Sequence, residues 1–449
     1  MMGSRKNRMR VLNRRGSAAV FVLVFFLGLV SMLMVFISVS KETAVKGACK
    51  ELSLLWADSV LAEYDRNLQQ RYGIFAYCGT ERETERKIDY YAMQSFKTKK
   101  YIDYQGSQCR QFNTSLLNVE MAKKQILACG KLAAGSKVLK NGKKFAPARD
   151  IVPLRGAVRG GSVMDDLPSQ GCSGSFSASR LASMIRQGKR PADIIRKGTD
   201  TYFENEYMKA FFKNAADYHD LGPTCLEFET EYIICGKKSD EENRKAIKNR
   251  IIALRTALNF WYLEHDPKKS GEKAALAALL TLGPEAAATD KLLKTAWSAA
   301  EGLNDYKLLV NGRKVPLLKN ESSWAIDLDD IVKGRKNKSS TEPVQAGSGR
   351  MESDDSGGKD GKNEKPEIRR EVPLVDKDNP HGENYEDYLS LMACLVDEQV
   401  RILRMLDIMQ INMKDQYYSG FRMENYHGGI DASITVNGEE DAVRKEYQP

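Results

Sequence analysis

The most continuous hydrophobic feature of the chain is an uncharged run of 25 residues, GSAAVFVLVFFLGLVSMLMVFISVS, from Gly16 to Ser40. At about 1.5 Å per residue, a helix of this length crosses the roughly 30 Å hydrocarbon layer of a bilayer. A cleaved signal peptide is the alternative, because Ser38-Val39-Ser40 resembles a cleavage site, but the apolar core of a signal peptide normally has only about 7–15 residues. The run therefore predicts a single transmembrane helix over residues 16–40.

Beyond this run, apolar residues recur every three or four positions. They are Val45, Cys49, Leu52, Trp56, Val60, Tyr64 and Leu68. This spacing lines one face of a helix. It predicts that the transmembrane helix continues as one long amphipathic helix, from about residue 17 to residue 70, whose second half packs against a folded domain. A helix break near Lys41 is the alternative.

Farther along, the pattern predicts a mainly α, α+β domain over residues 41–333 that contains a small antiparallel sheet. Helices are predicted at about 81–101, 179–187, 201–216, 240–264, 270–282 and 284–303, after a turn at 71–73. Residues 116–129 fit either a strand or a helix. Ser239, with Glu242 three positions later, forms a capping-box pattern that starts the helix at 240.

One segment of this domain has the alternation of a strand. Apolar residues and Thr230 alternate over residues 226–234 with three acids, Glu227, Glu229 and Glu231. A period of two gives a strand one buried face and one solvated face. We therefore predict a strand whose three carboxylates are solvated, where they serve solubility rather than catalysis or cation binding.

Composition changes at residue 334. Gly, Ser, Lys, Asp and Glu dominate the following stretch, and no aromatic residue occurs between Trp324 and Tyr385. Such a segment buries too little apolar surface to offset the entropy lost on ordering, so residues 334–384 are predicted to be a disordered insertion. Residues 385–449 then predict a helix about 30 residues long and a strand at 430–437. We expect that helix to pack on the 41–70 or the 240–264 helix.

Charge adds a topology to this organisation. Six of the 69 Lys and Arg residues lie within residues 1–15, where there is no acid, so 63 cations face 60 acids in the rest of the chain. The nearly neutral body argues against nucleic-acid binding, which needs a basic face. The positive-inside rule makes residues 1–15 a cytoplasmic leader and places the bulk of the chain outside a single-pass anchor in the cell membrane.

Residues that could carry chemistry are few and scattered. No histidine lies three or four residues from another, and the sequence contains no H-E-x-x-H, C-x-x-C, phosphate-loop or G-x-S-x-G motif. We interpret Asp217, His219 and Asp220 as a solvated helix end, and Gly171-Cys172-Ser173-Gly174 as a turn. The sequence therefore predicts no enzymatic activity, no metal site and no cofactor.

The eight cysteines leave two interpretations open. An even number outside the membrane allows disulfides, with 105 full pairings. Buried free thiols are the other interpretation, which we expect for about half of them. The positions are Cys49, Cys78, Cys109, Cys129, Cys172, Cys225, Cys235 and Cys394.

The order of these features resembles a known family. RRGSAAVFVLVFF at 14–26 is similar to the start of the TadE/TadG-like pseudopilins of tight-adherence (Flp) pilus loci. Four further stretches resemble, in this order, one uncharacterised bacterial family of such membrane-anchored proteins. They are DSVLAEYDRNLQQRYGIFAY at 58–77, LEFETEYIICGKKSDEENRKAIKNRIIALRTALNFWYLEHDP at 226–267, KVPLLKNESSW at 314–324 and YEDYLSLMACLVDEQVRILRMLDIMQINM at 385–413.

The resemblance implies an exported, anchored topology and a place near pilus-assembly genes, but no known activity. In pilin-like families a prepilin peptidase cuts after the leader Gly, which here implies cleavage after Gly16 and a mature chain that starts at Ser17. Many pilins carry Glu at the fifth mature position, where this chain has Phe21. The pairing of that Glu with a neighbour's amino terminus is therefore unavailable.

Together these features predict a non-enzymatic structural or assembly component, of the minor pseudopilin kind, in a Tad/Flp-type pilus or secretion apparatus. Its apolar helix would pack laterally through Phe21, Phe25 and Phe26. The expected partners are the lipid bilayer, other pilin-like or Tad-type membrane proteins and a prepilin peptidase. The alternatives are a cell-surface binding or sensing protein on a simple anchor, and an anchored hydrolase.

Overall fold

The computed structural model describes residues 6–99, 102–138, 163–172, 199–216, 224–265, 286–327 and 371–448. Over these residues the protein is mainly helical and has a small antiparallel sheet, which confirms the predicted fold class at that level. The chain forms two compact units, whereas the sequence predicted one domain over residues 41–333. Unit 1 contains Met1–Asp65, Phe75–Met121 and Glu424–Gln448, and unit 2 contains Arg66–Ile74, Ala122–Met423 and Pro449.

Unit 1 is organised around α1 (Lys6–Leu61), a helix of 56 residues that has no break near Lys41. The predicted long helix therefore exists, but it ends about nine residues early. It ends because the chain turns into extended pairing, in which the Asp65 N–H donates to the Ala76 carbonyl at 2.8 Å. The next helix, α2 (Arg66–Tyr72), is a separate element of unit 2.

The remaining elements of unit 1 come from both ends of the sequence. For this reason the unit could not be predicted as one continuous range of residues. Strand β2 pairs with β4, and β4 pairs with β5, all antiparallel, while β1 pairs with β3. The strand predicted at 430–437 is confirmed as β4, whereas the helix predicted at 81–101 ends at Phe96. The elements are β1 (Tyr77–Cys78), α3 (Glu81–Phe96), β2 (Tyr104–Cys109), β3 (Tyr426–His427), β4 (Gly429–Val436) and β5 (Glu439–Glu446).

The core of unit 1 is one apolar cluster beneath the stripe of α1. Cys49, Trp56 and Val60 are buried there against α3 and the three-stranded sheet. The Trp56 indole packs edge-on against Phe96 at 5.4 Å between ring centroids and donates to Ser95 Oγ at 3.0 Å. The predicted stripe is confirmed as far as Val60.

The regular secondary structure of unit 2, in the residues that are described, consists of helices joined by loops. Helices α7 and α8 pack along each other. They can approach closely at Gly302 because glycine has no side chain: a Cβ there would lie only 2.9 Å from Thr256 Oγ1. Helix α6 packs against α7, α9 and α10. The helices are α4 (Val119–Val138), α5 (Asp200–Phe211), α6 (Glu229–Cys235), α7 (Asp240–His265), α8 (Ala286–Val310), α9 (Tyr385–Ala393) and α10 (Glu398–Gln416).

Most predicted helices in this unit are confirmed with shifted ends. Helix α7 starts as its capping pattern predicts, since the Glu242 N–H donates to Ser239 Oγ at 3.3 Å. Its apolar residues Ile247, Ile251, Leu254 and Leu258 are buried in the core, whereas Trp261 is 37% exposed. Residues 116–129 fall largely within α4, so their helical interpretation is the correct one. The predicted helices at 179–187 and 270–282 lie outside the described residues.

The strand predicted over residues 226–234 is wrong, because residues 229–235 form α6. All seven residues of this helix are buried. A helix covered on every side shows no apolar stripe, so the alternation of acidic and apolar residues imitated a strand. The chain just before its amino end is held from α7, where the Asp240 carboxylate accepts from the N–H groups of Glu227 and Phe228 at 3.0 Å each.

The single C-terminal helix is also corrected, because the chain breaks into α9 and α10 at residues 394–397. The Asp397 side chain accepts from the N–H groups of Gln399 and Val400 at 3.0 and 3.3 Å, and so starts a new helix. Of the expected packing on the 240–264 helix, the structure shows one side-chain contact through α9, whose Tyr388 hydroxyl accepts from Arg255 at 3.1 Å. Helix α10 packs instead on α6 and α2.

The predicted disordered insertion is too long at its carboxyl end. Residues 371–384 are held on unit 2 by specific polar contacts. The Asn304 carboxamide accepts from the Leu374 and Val375 N–H groups at 2.7 and 3.0 Å, and the Arg313 side chain pairs with Asp376. The prediction of disorder rested on the lack of aromatic residues, and composition does not reveal polar contacts of this kind. Residues 334–370 lie outside the described part of the chain.

Candidate functional site

The apolar half of α1 carries hydrophobic side chains that the described protein leaves uncovered. Phe21, Phe25 and Phe26, the residues predicted to pack against other helices, are 73%, 66% and 63% exposed. The backbone of Gly16 and Ser17, the predicted processing residues, is helical and continuous with them. The structure thus brings the predicted packing and processing residues onto one helix, and it does not bring them to any other site in the described chain.

This helix is long and apolar enough to cross a membrane, and it is the one helix in the described residues that is so by length and composition. Its apolar side chains from Val20 to Val39 are exposed around the whole circumference. Removing a single large apolar side chain from water contributes about 1.5–3 kcal/mol. An uncovered apolar helix near the start of the chain is compatible with a membrane anchor or with a signal sequence.

A small cavity of about 100 Å³ lies in unit 1, just beyond the apolar run, between α1 and the turn that joins β4 to β5. Val45, Cys49 and Val436 line its apolar part. On the rim, Lys46 Nζ lies 3.3 Å from Glu42 and 2.8 Å from Glu439. Drug-sized ligands need about 300–1,000 Å³, so this space suits only a few water-sized molecules.

Unit 2 contains a buried ionic cluster, which we call the Arg255 cluster: Arg255, Asn259, Glu301, Asp305 and Lys319. Arg255 Nε donates to Asp305 at 2.9 Å, and Lys319 Nζ lies 2.6 Å from the other carboxylate oxygen of Asp305. Arg255 also donates to the Leu317 carbonyl at 2.7 Å. Lys319 additionally pairs with Glu301. Each charge has a counter-charge, so the cluster fixes the 316–326 loop on α7 and α8.

The pKa of Asp305 reflects this charge pairing. Burial pushes the pKa of the Asp305 carboxyl upward, but Arg255 and Lys319 outweigh burial and hold that pKa below its usual value. Glu301 accepts from the Ala325 and Ile326 N–H groups at 2.9 and 2.8 Å. Because its charges are paired and its charged side chains are buried, the Arg255 cluster stabilises the fold of unit 2.

A second group of buried acids lies on α6 and contradicts the predicted solvated face. Glu229 accepts from the Lys213 N–H at 2.9 Å and from Asn412 at 2.6 Å. Glu231 accepts from the Ala215 N–H at 2.9 Å and from the Tyr385 hydroxyl at 3.0 Å. Both carboxylates are buried, so these protein donors take the place of solvent.

The two acids differ in the charges around them. Burial raises the pKa of Glu229, but Arg71 and Lys213 oppose that rise. Burial raises the pKa of Glu231 to about 7, and the carboxylate of Asp240 pushes it in the same direction. Nothing in the described chain donates a hydrogen bond to Glu231 Oε2. Of the two acids on α6, Glu231 is the one whose surroundings match a negative charge less well.

The other residues singled out for chemistry do not converge. The His265 ring stacks on Trp261, His427 is buried beside Tyr77, and His381 is exposed. Cys172 ends a turn with its N–H on the Ser169 carbonyl, whereas residues 173–174 and 217–220 lie outside the described chain. Within the described ranges, no three His, Cys, Asp or Glu side chains are close enough to hold a metal ion.

All eight cysteines are free thiols in this structure, and five of them are buried. This agrees with the expectation that about half are buried thiols. Burial raises the pKa of the Cys129 and Cys235 thiols to about 11, so the reactive thiolate form is disfavoured at these positions.

These features define a class: a mainly helical two-unit protein with a small antiparallel sheet and one long uncovered apolar helix. The chain belongs to a family of unknown function (DUF5702), whose model matches residues 162–438. The matched part holds helices α5 to α10 and strands β3 and β4, and it lies after α1. No curated protein and no solved structure shows a significant match to the chain.

Sequence reasoning missed the buried charges of unit 2. A signal for one of them was present, because Arg255 and Asn259 lie four residues apart between core positions of α7. Two polar residues at that spacing on an apolar face indicate a shared buried partner. Glu231 gave no such signal, since its neighbours come from residues 215 and 385, far away in sequence.

Proposed function

We propose that this protein is a non-enzymatic structural or assembly protein anchored in the cell membrane by the apolar half of α1. The observation that carries the proposal is the contrast along one helix. The large apolar residues from Val20 to Val39 are mostly exposed, whereas Cys49, Trp56 and Val60 are buried in the core of unit 1. A continuous helix thus couples a bilayer-compatible segment to a folded unit.

The finer form of the proposal is a minor pseudopilin-like component of a Tad/Flp-type pilus or secretion apparatus. It is supported by the resemblance of residues 14–26 to TadE/TadG-like proteins and by the exposed phenylalanines on α1. In this form, Phe21, Phe25 and Phe26 contact related helices within the membrane. A prepilin peptidase removes the leader after Gly16, and the remainder of the chain is extracytoplasmic.

Anchoring is tested by placing charge in the apolar half of α1. The double variant Val24→Arg, Leu27→Arg adds two cations, each of which costs roughly 2.5–3.5 kcal/mol at the centre of a membrane helix. We expect the wild-type chain to stay in membranes after an alkaline carbonate wash and the variant to be released. Leu54→Arg, Leu55→Arg is the matched control, because both leucines are exposed on the same helix beyond the run. A wild-type chain that washes out contradicts the proposal.

The pseudopilin form has two tests of its own. The amino terminus of the protein isolated from membranes is expected to be Ser17, and an intact leader would support simple anchoring instead. A photoreactive phenylalanine analogue at position 21 or 25 is expected to form adducts with other membrane proteins. The same analogue at Tyr90, exposed on α3, serves as the control and should not. Equal labelling from both positions would exclude specific helix packing.

A further inference from the structure

Two carboxylates of α6 hold the segment that follows α5. The acids are two residues apart, and so are the amides that they bind: Glu229 takes the Lys213 N–H and Glu231 takes the Ala215 N–H, both at 2.9 Å. The Thr230 N–H donates to the Lys213 carbonyl at 2.9 Å between them. Residues 213–215 are thus attached to α6 by three parallel hydrogen bonds.

The same carboxylates join α6 to the C-terminal helices of unit 2. Glu231 accepts from the Tyr385 hydroxyl at the start of α9. Glu229 accepts from Asn412 of α10, whose amide also donates to the Tyr72 hydroxyl at 2.9 Å. The charge state of these acids therefore bears on several elements at once.

The pKa values of the two acids respond mainly to different charges. Glu229 has Arg71 and Lys213 nearby. The groups that face Glu231 are Asp240 at the start of α7, Tyr306 on α8, Tyr385 on α9 and Cys235 on α6 itself. Helix α7 also carries two cations on this side: Arg244, which acts on Tyr306, and Arg250, which acts on Cys235 and donates to the Ile234 carbonyl at 3.2 Å. Helix α10 faces α6 with Arg404, which donates to the Ile233 and Ile234 carbonyls, and with Asp407, which accepts from Tyr232.

We propose that Glu231 acts as a proton-operated latch, which stabilises the packing of α6 with residues 213–215 and α9 when its carboxyl is protonated and destabilises it when the carboxyl is ionised. The reason is the environment of Oε2, which is fully buried and receives no hydrogen bond within the described chain. An ionised carboxylate there keeps its charge on an oxygen that solvent does not reach and that no group of the described chain hydrogen-bonds. Protonation removes that charge and leaves the two bonds to Oε1 in place.

The direction of the pH dependence follows from the pKa of Glu231, about 7 in the folded chain against 4.5 as its ordinary value. Between these values the folded state binds the proton and the unfolded state does not, so folding is favoured at low pH. The stabilisation is complete below about pH 4.5 and is lost as pH rises through about 7. A difference of this size raises the unfolding constant about 200-fold between pH 4 and pH 8.

The test uses the full chain in detergent micelles. Infrared difference spectra report the C=O stretch of a protonated, buried carboxyl, and chemical denaturation at a series of pH values reports the unfolding constant. We expect a carboxyl band that disappears with a midpoint near pH 7, and its loss in Glu231→Gln together with the corresponding part of the pH dependence. Glu229→Gln is the matched control and should keep the band. A band unchanged in Glu231→Gln overturns the proposal.

A second variant keeps the test decisive if Glu231→Gln does not fold. Tyr385→Phe removes the hydroxyl that favours the ionised form of Glu231. The midpoint of the carboxyl band should therefore move to higher pH. A purely structural role for Tyr385 would lower stability equally at every pH and leave the midpoint unchanged, and that result would also overturn the proposal.

Discussion

The two units stabilise their cores by different means. Unit 1 buries no Asp, Glu, Lys or Arg among its described residues, whereas unit 2 buries fourteen. The core of unit 1 is an apolar cluster beneath α1, whose stability scales with buried area and depends little on pH. The core of unit 2 depends on charge pairing, which makes it specific in geometry and sensitive to the loss of one partner. Substitutions that cost a similar free energy of unfolding at pH 7 should therefore differ between the two units in how that cost depends on pH.

The Arg255 cluster gives the largest expected effect. Asp305→Ala leaves Arg255 and Lys319 buried without their shared carboxylate, and breaking such a buried pair costs about 3–5 kcal/mol. Chemical denaturation of the full chain should show this loss at pH 7. Because the pKa of Asp305 lies below its usual value, the contribution is present above about pH 4 and is lost as pH falls further, so the variant and the wild type should converge in acid.

The control for this prediction is the exposed pair of Arg313 and Asp376, 2.8 Å apart at the surface of the same unit. Asp376→Ala should leave the unfolding midpoint unchanged, since solvent and salt screen an exposed pair. Similar losses in Asp305→Ala and Asp376→Ala would mean that burial does not set the contribution of charge in unit 2.

The matching change in unit 1 is Trp56→Ala. It removes the fully buried indole from between α1 and α3 and leaves a cavity beside Phe96, at a cost of about 3–5 kcal/mol. Unlike Asp305→Ala, this variant should lose the same free energy at pH 4 and at pH 8. Hydrogen exchange followed by mass spectrometry on peptides from 81–96 and 429–446 locates the effect. A loss that varies with pH would contradict the apolar description of unit 1.

A smaller effect is expected where the chain starts a new helix. Asp397→Ala removes the side chain that accepts from the Gln399 and Val400 N–H groups and should cost about 1 kcal/mol. Asp397→Asn keeps an acceptor at the same place and should recover most of the loss. Equal losses in both variants would show that the carboxylate acts through its charge rather than as a cap.

Local signals allowed the sequence to predict much of unit 1 and only part of unit 2. The stripe on α1, the cap of α7 and strand β4 all depend on residues close together in sequence, and each was predicted. Helix α6 was misread because its partners, such as Ala215 and Tyr385, are remote, and a helix covered all round has no periodicity to read. The break at Asp397 was missed because an apolar stripe continues across it.

The candidate site divides in the same way. The exposed phenylalanines of α1 could be predicted because an uncharged run is a local property. The unusual surroundings of Glu231 could not, since its Oε2, to which no described residue donates, lies among groups that only the fold brings together. Charged residues within apolar segments are thus the positions where sequence reasoning most needs a structure.

The smallest expected effect concerns the segment between residues 327 and 371. Both of its ends are anchored on one cluster of unit 2: Ile326 and Val375 pack beside Trp297, and the Lys377 ammonium donates to the Trp324 carbonyl at 2.7 Å. Replacing residues 334–370 by a short Gly/Ser linker should therefore leave these contacts intact. Closing a shorter loop recovers about 0.6 kcal/mol per halving of length, so a slight rise in the unfolding midpoint is expected. A clear loss of stability would mean that the replaced residues contribute contacts of their own to unit 2.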